Sequence, residues 1–234
     1  MKCLHIIALA ALATASFSGC ASQGKHLFIL SGQSNMDGLD PNLSFIPTVA
    51  EEFGAETVIV VKDSEGGRPI RRWYKKWESA QGDRPEANGD LYDRLMVKVN
   101  AGIEDEKIKT ATLVWMQGER DAVERHGEVY AASMRGLLDQ LRDDLRRRHI
   151  NFVLGRLSDF DMENKKYRHW TMVREAQMEV AEADARGAWI NTDDLNDGRN
   201  WSGQEIENDL HYSVKGYEIL GQRFAEKAIE LIHR

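Results

Sequence analysis

The sequence predicts an α/β fold, a parallel sheet covered by helices on both faces. Three observations carry this. Five short apolar runs of strand length recur along the chain, segments of helical spacing lie between them, and the longest irregular stretches all follow strands. The runs occupy residues 26–30, 57–61, 110–116, 152–157 and 188–190, and several are rich in Val and Ile. The clearest helical segment is 129–145. There Met134, Leu137, Leu138, Leu141 and Leu145 fall on one face and Arg142, Asp143 and Asp144 elsewhere. Segments 167–185 and 214–232 follow the same rule. The irregular stretches at 37–47, 63–89 and 192–208 should gather at the carboxyl edge of the sheet, where such folds place their sites.

A chain of 234 residues suits one sizeable core, and a composition of 42% hydrophobic and 29% charged residues is that of a folded soluble domain. The net charge is −7. Basic clusters occur at "RRWYKK" and "LRRRH", but acidic residues surround them, so they read as solvated helix faces and exclude nucleic acid as a partner. No repeat or low-complexity linker divides the chain, which makes residues 21–234 a single domain.

Residues 1–20 stand apart. "MKCLHIIALAALATASFSGC" has an early lysine, an apolar run from Leu4 to Ala15 and small residues before Cys20, the layout of a secretory signal too short to span a membrane. Its "FSGC" end resembles a bacterial lipobox, with Phe17 where leucine is usual. The expectation is an exported lipoprotein anchored to a membrane through lipid on Cys20, or otherwise a secreted protein cleaved nearby. Cys3 is lost with the signal, so the mature domain has no disulfide and rests on its core.

Chemistry converges on the predicted carboxyl edge. Ser34, in "ILSGQSNM", follows the first strand, "EGGRP" the second and "QGERDA" the third, and "NDLHYS" precedes the last helix. A serine nucleophile needs a base. His26, His126, His149, His169 and His233 sit at a strand start or in polar helical segments and read as solvated. His211 lies in a loop just before a helix and reaches the same edge as Ser34.

These residues match a family. "GQSNM", "GGRPI" followed by Trp73, "WMQGERDA" and "DLHYS" occur in the order seen in SGNH hydrolases. The chain is most similar to the branch holding sialate O-acetylesterases and acetylxylan esterases, carbohydrate esterase family 6 among them. The resemblance covers about residues 26–225. It implies a three-layer α/β/α, flavodoxin-like fold with a five-stranded parallel sheet. It also implies a serine esterase that removes O-acetyl groups from carbohydrate through an acyl-enzyme, with Ser34 as nucleophile and His211 as base. The oxyanion hole it implies is built from the Ser34 N–H, an N–H of Gly66 or Gly67, and the Gln117 amide.

The residue that orients His211 departs from the family pattern, which places an aspartate three positions before the histidine. Asn208 stands there, and Asp209 comes one position later. Side chains two apart in an extended segment share a face, so Asp209 reaches the ring if the backbone runs straight. A tight turn would bring Asn208 instead, and Asp193 or Asp194 of "TDDL" is the third source. Glu119 and Asp121 are expected to support the loop by bonding backbone amides. Trp73, Trp77 and Trp201 either stack on sugar rings or anchor their loops. "TDDLNDG" fails the calcium-loop template at its third position and lacks the closing glutamate, so neither metal nor cofactor is expected. The second function class is a carbohydrate-binding lipoprotein on the same fold whose catalysis has decayed.

Overall fold

The computed structural model describes residues 24–80 and 89–234; the signal segment and Cys20 lie outside the described residues. Five parallel strands form one sheet: β1 (Lys25–Gly32), β2 (Val58–Ser64), β3 (Ile108–Met116), β4 (Asn151–Gly155) and β5 (Gly187–Ile190). Their order, β2-β1-β3-β4-β5, is the doubly wound arrangement that the sequence pattern implies. β1, β3 and β4 are buried through most of their length, and β2 and β5 at the edges are half-buried, as their place in the sheet requires.

Helices cover both faces. They are α1 (Ser34–Asp37), α2 (Phe45–Phe53), α3 (Asp90–Gly102), α4 (Glu119–Glu124), α5 (Gly127–Asp144), α6 (Trp170–Glu182) and α7 (Val214–His233). α2 packs with α7, and α5 with α6. The three helical segments read from spacing become α5, α6 and α7, with ends shifted by up to three residues. α2 begins inside the stretch read as irregular up to Pro47. Proline ends a helical pattern in its interior, but Pro47 sits in the first turn, where its missing N–H has no intrahelical acceptor to lose. Within 192–208 the chain makes a two-residue-strand hairpin, β6 (Gly198–Arg199) against β7 (Glu205–Ile206).

Several local expectations change. Neither basic cluster is a helix face: "RRWYKK" forms a short 3-10 turn with Trp73 in the core, and "LRRRH" is the turn between α5 and β4. His26 is buried, stacked 4.1 Å from the Phe53 ring and bonded to Thr110 Oγ1 at 2.8 Å. Trp73 and Trp77 are each 1% exposed, which removes both from any sugar-stacking role. Trp73 stands edge-on to Trp115 at 5.2 Å.

The sheet register brings the site loops level. Gly32 pairs with Ser64 on one side and Met116 on the other, so β1, β2 and β3 end together. Gly32 has φ +145° and meets β3 so closely that a Cβ there would lie 1.9 Å from the Met116 carbonyl oxygen. Both the angle and the approach demand glycine. Gly32→Ala should therefore cost at least about 3 kcal/mol, the sum of backbone strain and overpacking, read as a lower denaturant midpoint at unchanged m-value.

Candidate active site

β1 runs into Gln33 and the single turn of α1, which lifts Ser34 out of the buried strand to a half-buried position. As the first residue of a helix, Ser34 has an N–H with no intrahelical acceptor. The loop after β2 brings Gly66 alongside: a Cβ on Gly66 would sit 3.6 Å from that of Ser34. Gly67 follows with φ +68°, and both glycines are exposed. The loop before α7 supplies His211, whose Nε2 lies within hydrogen-bond distance of Ser34 Oγ, at 3.1 Å. Residues 177 positions apart thus form a hydroxyl–imidazole pair at the carboxyl edge, beside the point where the strand order reverses.

Asn35 binds these loops together. Its Nδ2 donates to Glu119 Oε1 at 2.8 Å and to the Leu210 carbonyl at 3.0 Å, and its Oδ1 accepts from the Tyr217 hydroxyl at 3.1 Å. The residue after Ser34 is therefore tied to the residue before His211. Sequence reasoning missed Asn35, Gln33 and Tyr217. The available signal was two long polar side chains flanking a serine at the end of an apolar strand.

Gln117 is placed differently from the implied oxyanion donor. It is 0% exposed, and its Nε2 donates to Asp121 Oδ2 at 2.6 Å and to the Arg68 carbonyl at 3.1 Å. A group that no solvent touches, with both protons engaged, cannot contact a substrate oxygen. Gln117 is a brace. Its Oε1 accepts from Tyr130 at 3.1 Å, and Asp121 Oδ2 also accepts the Ile70 N–H at 2.8 Å, which fixes the glycine loop from below. The Gln33 Oε1 takes the Arg120 N–H at 3.1 Å. Asp121 supports a backbone amide, as read from sequence, and Glu119 also holds the Asn35 side chain.

The candidates for the orienting group lie in different surroundings. Asp193 is engaged by Arg156 and Arg174, and Asp194 by Arg223. Asn208 has φ +44°, and its amide meets Asn196 at 3.1 Å and the Phe160 carbonyl at 3.4 Å. Asp209 stands nearest: its Oδ1 accepts the His211 backbone N–H at 2.9 Å and lies 4.0 Å from His211 Nδ1. That separation is too long for a hydrogen bond but close enough for charge to act. Both side chains are about half exposed, 50% for the histidine and 45% for the aspartate. Trp201, 61% exposed, lies parallel to the Tyr217 ring at 6.5 Å and is the tryptophan of the three that remains open to solvent. Among the described residues no cluster of His, Cys, Asp or Glu is arranged to hold a metal.

Comparison with known proteins shows the family and the fold. Residues 37–230 match the family model described as carbohydrate esterase, sialic acid-specific acetylesterase. A solved protein of Arabidopsis thaliana is similar over 88% of this chain and 98% of its own, at 18% identity and TM-score 0.65. A carbohydrate acetylesterase from Xanthomonas citri matches over 90% of this chain and 57% of its own, at 15% identity and TM-score 0.61. NanS matches over 90% and 98%, at 12% identity and TM-score 0.61. At such identities these likenesses show the fold. No curated protein matches significantly.

Burial pushes both Glu119 and Asp121 up to about 7, against the opposing pull of the hydrogen bonds they accept. Each also keeps one buried oxygen, Glu119 Oε2 and Asp121 Oδ1, without a hydrogen-bond partner. A carboxyl that binds its proton more tightly when folded withdraws stability as pH rises through the interval between its unfolded and folded values. The loss begins near pH 4 and is complete above about pH 7. The melting temperature of the wild type should fall from pH 5 to pH 8 by more than that of Glu119→Gln/Asp121→Asn, whose amide oxygens keep the acceptor roles. Equal slopes in the two proteins would show that neither acid titrates in this range.

Proposed function

Because the chain belongs to the sialic acid-specific acetylesterase family of carbohydrate esterases, and so is a carboxylic ester hydrolase, we propose that it removes O-acetyl groups from acetylated carbohydrate through an acyl-enzyme on Ser34. The observation that carries this reading is the 3.1 Å contact between Ser34 Oγ and His211 Nε2 at the end of the central strand.

The steps follow from the atoms in place. His211 Nε2 takes the hydroxyl proton as Ser34 Oγ attacks the acetyl carbonyl carbon, and the electron pair moves to the carbonyl oxygen. The Ser34 N–H and an N–H of the Gly66-Gly67 loop are the donors for that oxyanion, with Gln117 and Asp121 holding the loop in place. Each such donor is typically worth about 3 kcal/mol in the transition state. Collapse breaks the ester bond, and the imidazolium returns its proton to the departing sugar oxygen. A water molecule then gives a proton to His211 and attacks the acyl carbon, releasing acetate and restoring Ser34. Asp209 stabilises the imidazolium through space across 4.0 Å. Trp201 offers the exposed ring on which a sugar stacks.

Outside the domain, the lipobox-like end supports a chain exported and anchored through lipid on Cys20. Cys20→Ala should then move the protein from the membrane fraction to the soluble one, and an unchanged distribution would count against the anchor.

Hydrolysis of nitrophenyl acetate and of an acetylated oligosaccharide tests the catalytic reading. Ser34→Ala should abolish both activities in a folded protein. Asp209→Asn should lower kcat by about tenfold, the worth of one charge at this distance in a half-exposed setting, far less than the 10⁴-fold or so lost with a buried triad carboxylate. Trp201→Ala should raise KM for the oligosaccharide alone. Wild-type rates in Ser34→Ala would refute the mechanism.

A further inference from the structure

The edge of the sheet opposite Ser34 carries a cavity of ≈ 440 Å³ walled by Lys109, Arg146, Arg147, Arg148, His149 and Arg186, with no carboxylate in its lining. The residues converge from the start of β3, the turn between α5 and β4, and the approach to β5. Two of the cations are fixed by neutral groups. Arg147 donates to the Ile108 carbonyl at 2.9 Å and to that of Lys109 at 2.9 Å, and Arg186 to Asn151 Oδ1 at 3.2 Å. Lys109, Arg146 and Arg148 are exposed. Elsewhere on this chain of net charge −7 arginines commonly face carboxylates, as Arg94, Arg142 and Arg223 do. Asp184 lies within electrostatic reach of Arg186, but the lining itself is cationic and neutral, and like charges gathered around one concavity favour an anion there.

The location identifies the anion. Lys25, the first residue of β1, lies at this same edge, with its N–H bonded to the Lys107 carbonyl at 2.7 Å and its register beside Ile108. Cys20 is five positions earlier, so a lipid there stands no more than about 18 Å of extended chain from the strand. An anchor at that point turns the amino edge of the sheet toward the bilayer and the Ser34 edge away from it. A single lipid attachment and a basic surface reinforce each other at a membrane, and arginine forks match phosphate oxygens in pairs.

We propose that this cavity binds the phosphate headgroups of an anionic membrane, seating the amino edge of the sheet on the lipid surface while the catalytic edge faces outward. The orientation rests on the Cys20 anchor proposed above; the headgroup contact is a property of the folded domain.

The test uses the domain of residues 21–234, which has neither the apolar signal segment nor an acyl group, in co-sedimentation with vesicles of phosphatidylglycerol and phosphatidylcholine or of phosphatidylcholine alone. Binding is expected only to the anionic vesicles and should weaken with salt. Arg146→Gln/Arg148→Gln, both in an exposed turn, should weaken it by about 25-fold, roughly fivefold for each charge removed from an anionic surface. Lys165→Gln/Arg199→Gln makes the same change in net charge elsewhere and should leave binding intact. Unchanged nitrophenyl acetate hydrolysis confirms folding in every variant. Equal anionic-vesicle binding by the Arg146/Arg148 variant would overturn the proposal. So would full release of the protein by millimolar inorganic phosphate, which would mark a site for small free anions. Incorporation of labelled fatty acid into the Cys20 chain is measured separately, so a failed anchor and a failed headgroup site give different results.

Discussion

One buried amide sets the geometry of the site. The sheet by itself delivers Ser34 and the loops after β2 and β3 to the same level, because parallel strands in register end together. It does not deliver His211, which arrives from a loop beyond the last strand. Asn35 closes that gap by holding the Leu210 carbonyl, Glu119 and the Tyr217 hydroxyl at once. A buried amide stripped of a partner costs about 1–3 kcal/mol, so the loop cannot drift from Ser34 without leaving Asn35 unsatisfied. Further along, the Asp209 N–H donates to the Asn196 carbonyl at 3.1 Å and the Ser213 N–H to that of Leu195 at 3.0 Å, pinning the same loop on its other side.

A second layer lies beneath the first. Gln33, Gln117, Asp121 and Tyr130 are buried polar groups that bond one another and the backbone of the glycine loop, and buried Glu119 beside them holds Asn35. Such networks fix one arrangement when satisfied and are costly where they are not. Here two carboxyl oxygens stay unpartnered and both acids are pushed toward neutrality. The penalty falls under the site, where rigid support for Gly66 and Ser34 has most effect on transition-state contacts.

Much of this was legible in the sequence because burial and periodicity are local signals. All five apolar runs became strands, and the alternation with helices gave the sheet its parallel order. Ser34 and His211 were visible as polar residues stranded at the ends of regular elements. The misreadings came from tertiary context. Trp73 and Trp77 lie in a loop by sequence, yet that loop folds inward. Gln117 carries a donor of the right kind, but Asp121 and Arg68 claim it. The spacing of Asp209 from His211 leaves open which side chain meets the ring. The positive φ of Asn208 turns that residue toward Asn196, and Asp209 then bonds its neighbour's own backbone.

On the proposed mechanism Ser34 is made nucleophilic by His211 within a frame held by Asn35. The most direct measurement of this is the rate at which an organophosphonate ester labels the protein, followed by intact mass and mapped to a residue. One adduct is expected, on Ser34, forming at least about a hundredfold more slowly in His211→Ala, the usual worth of a positioned base, and more slowly in Asn35→Ala as well. Labelling of a different serine, or equal rates on Ser34 with and without His211, would contradict that mechanism.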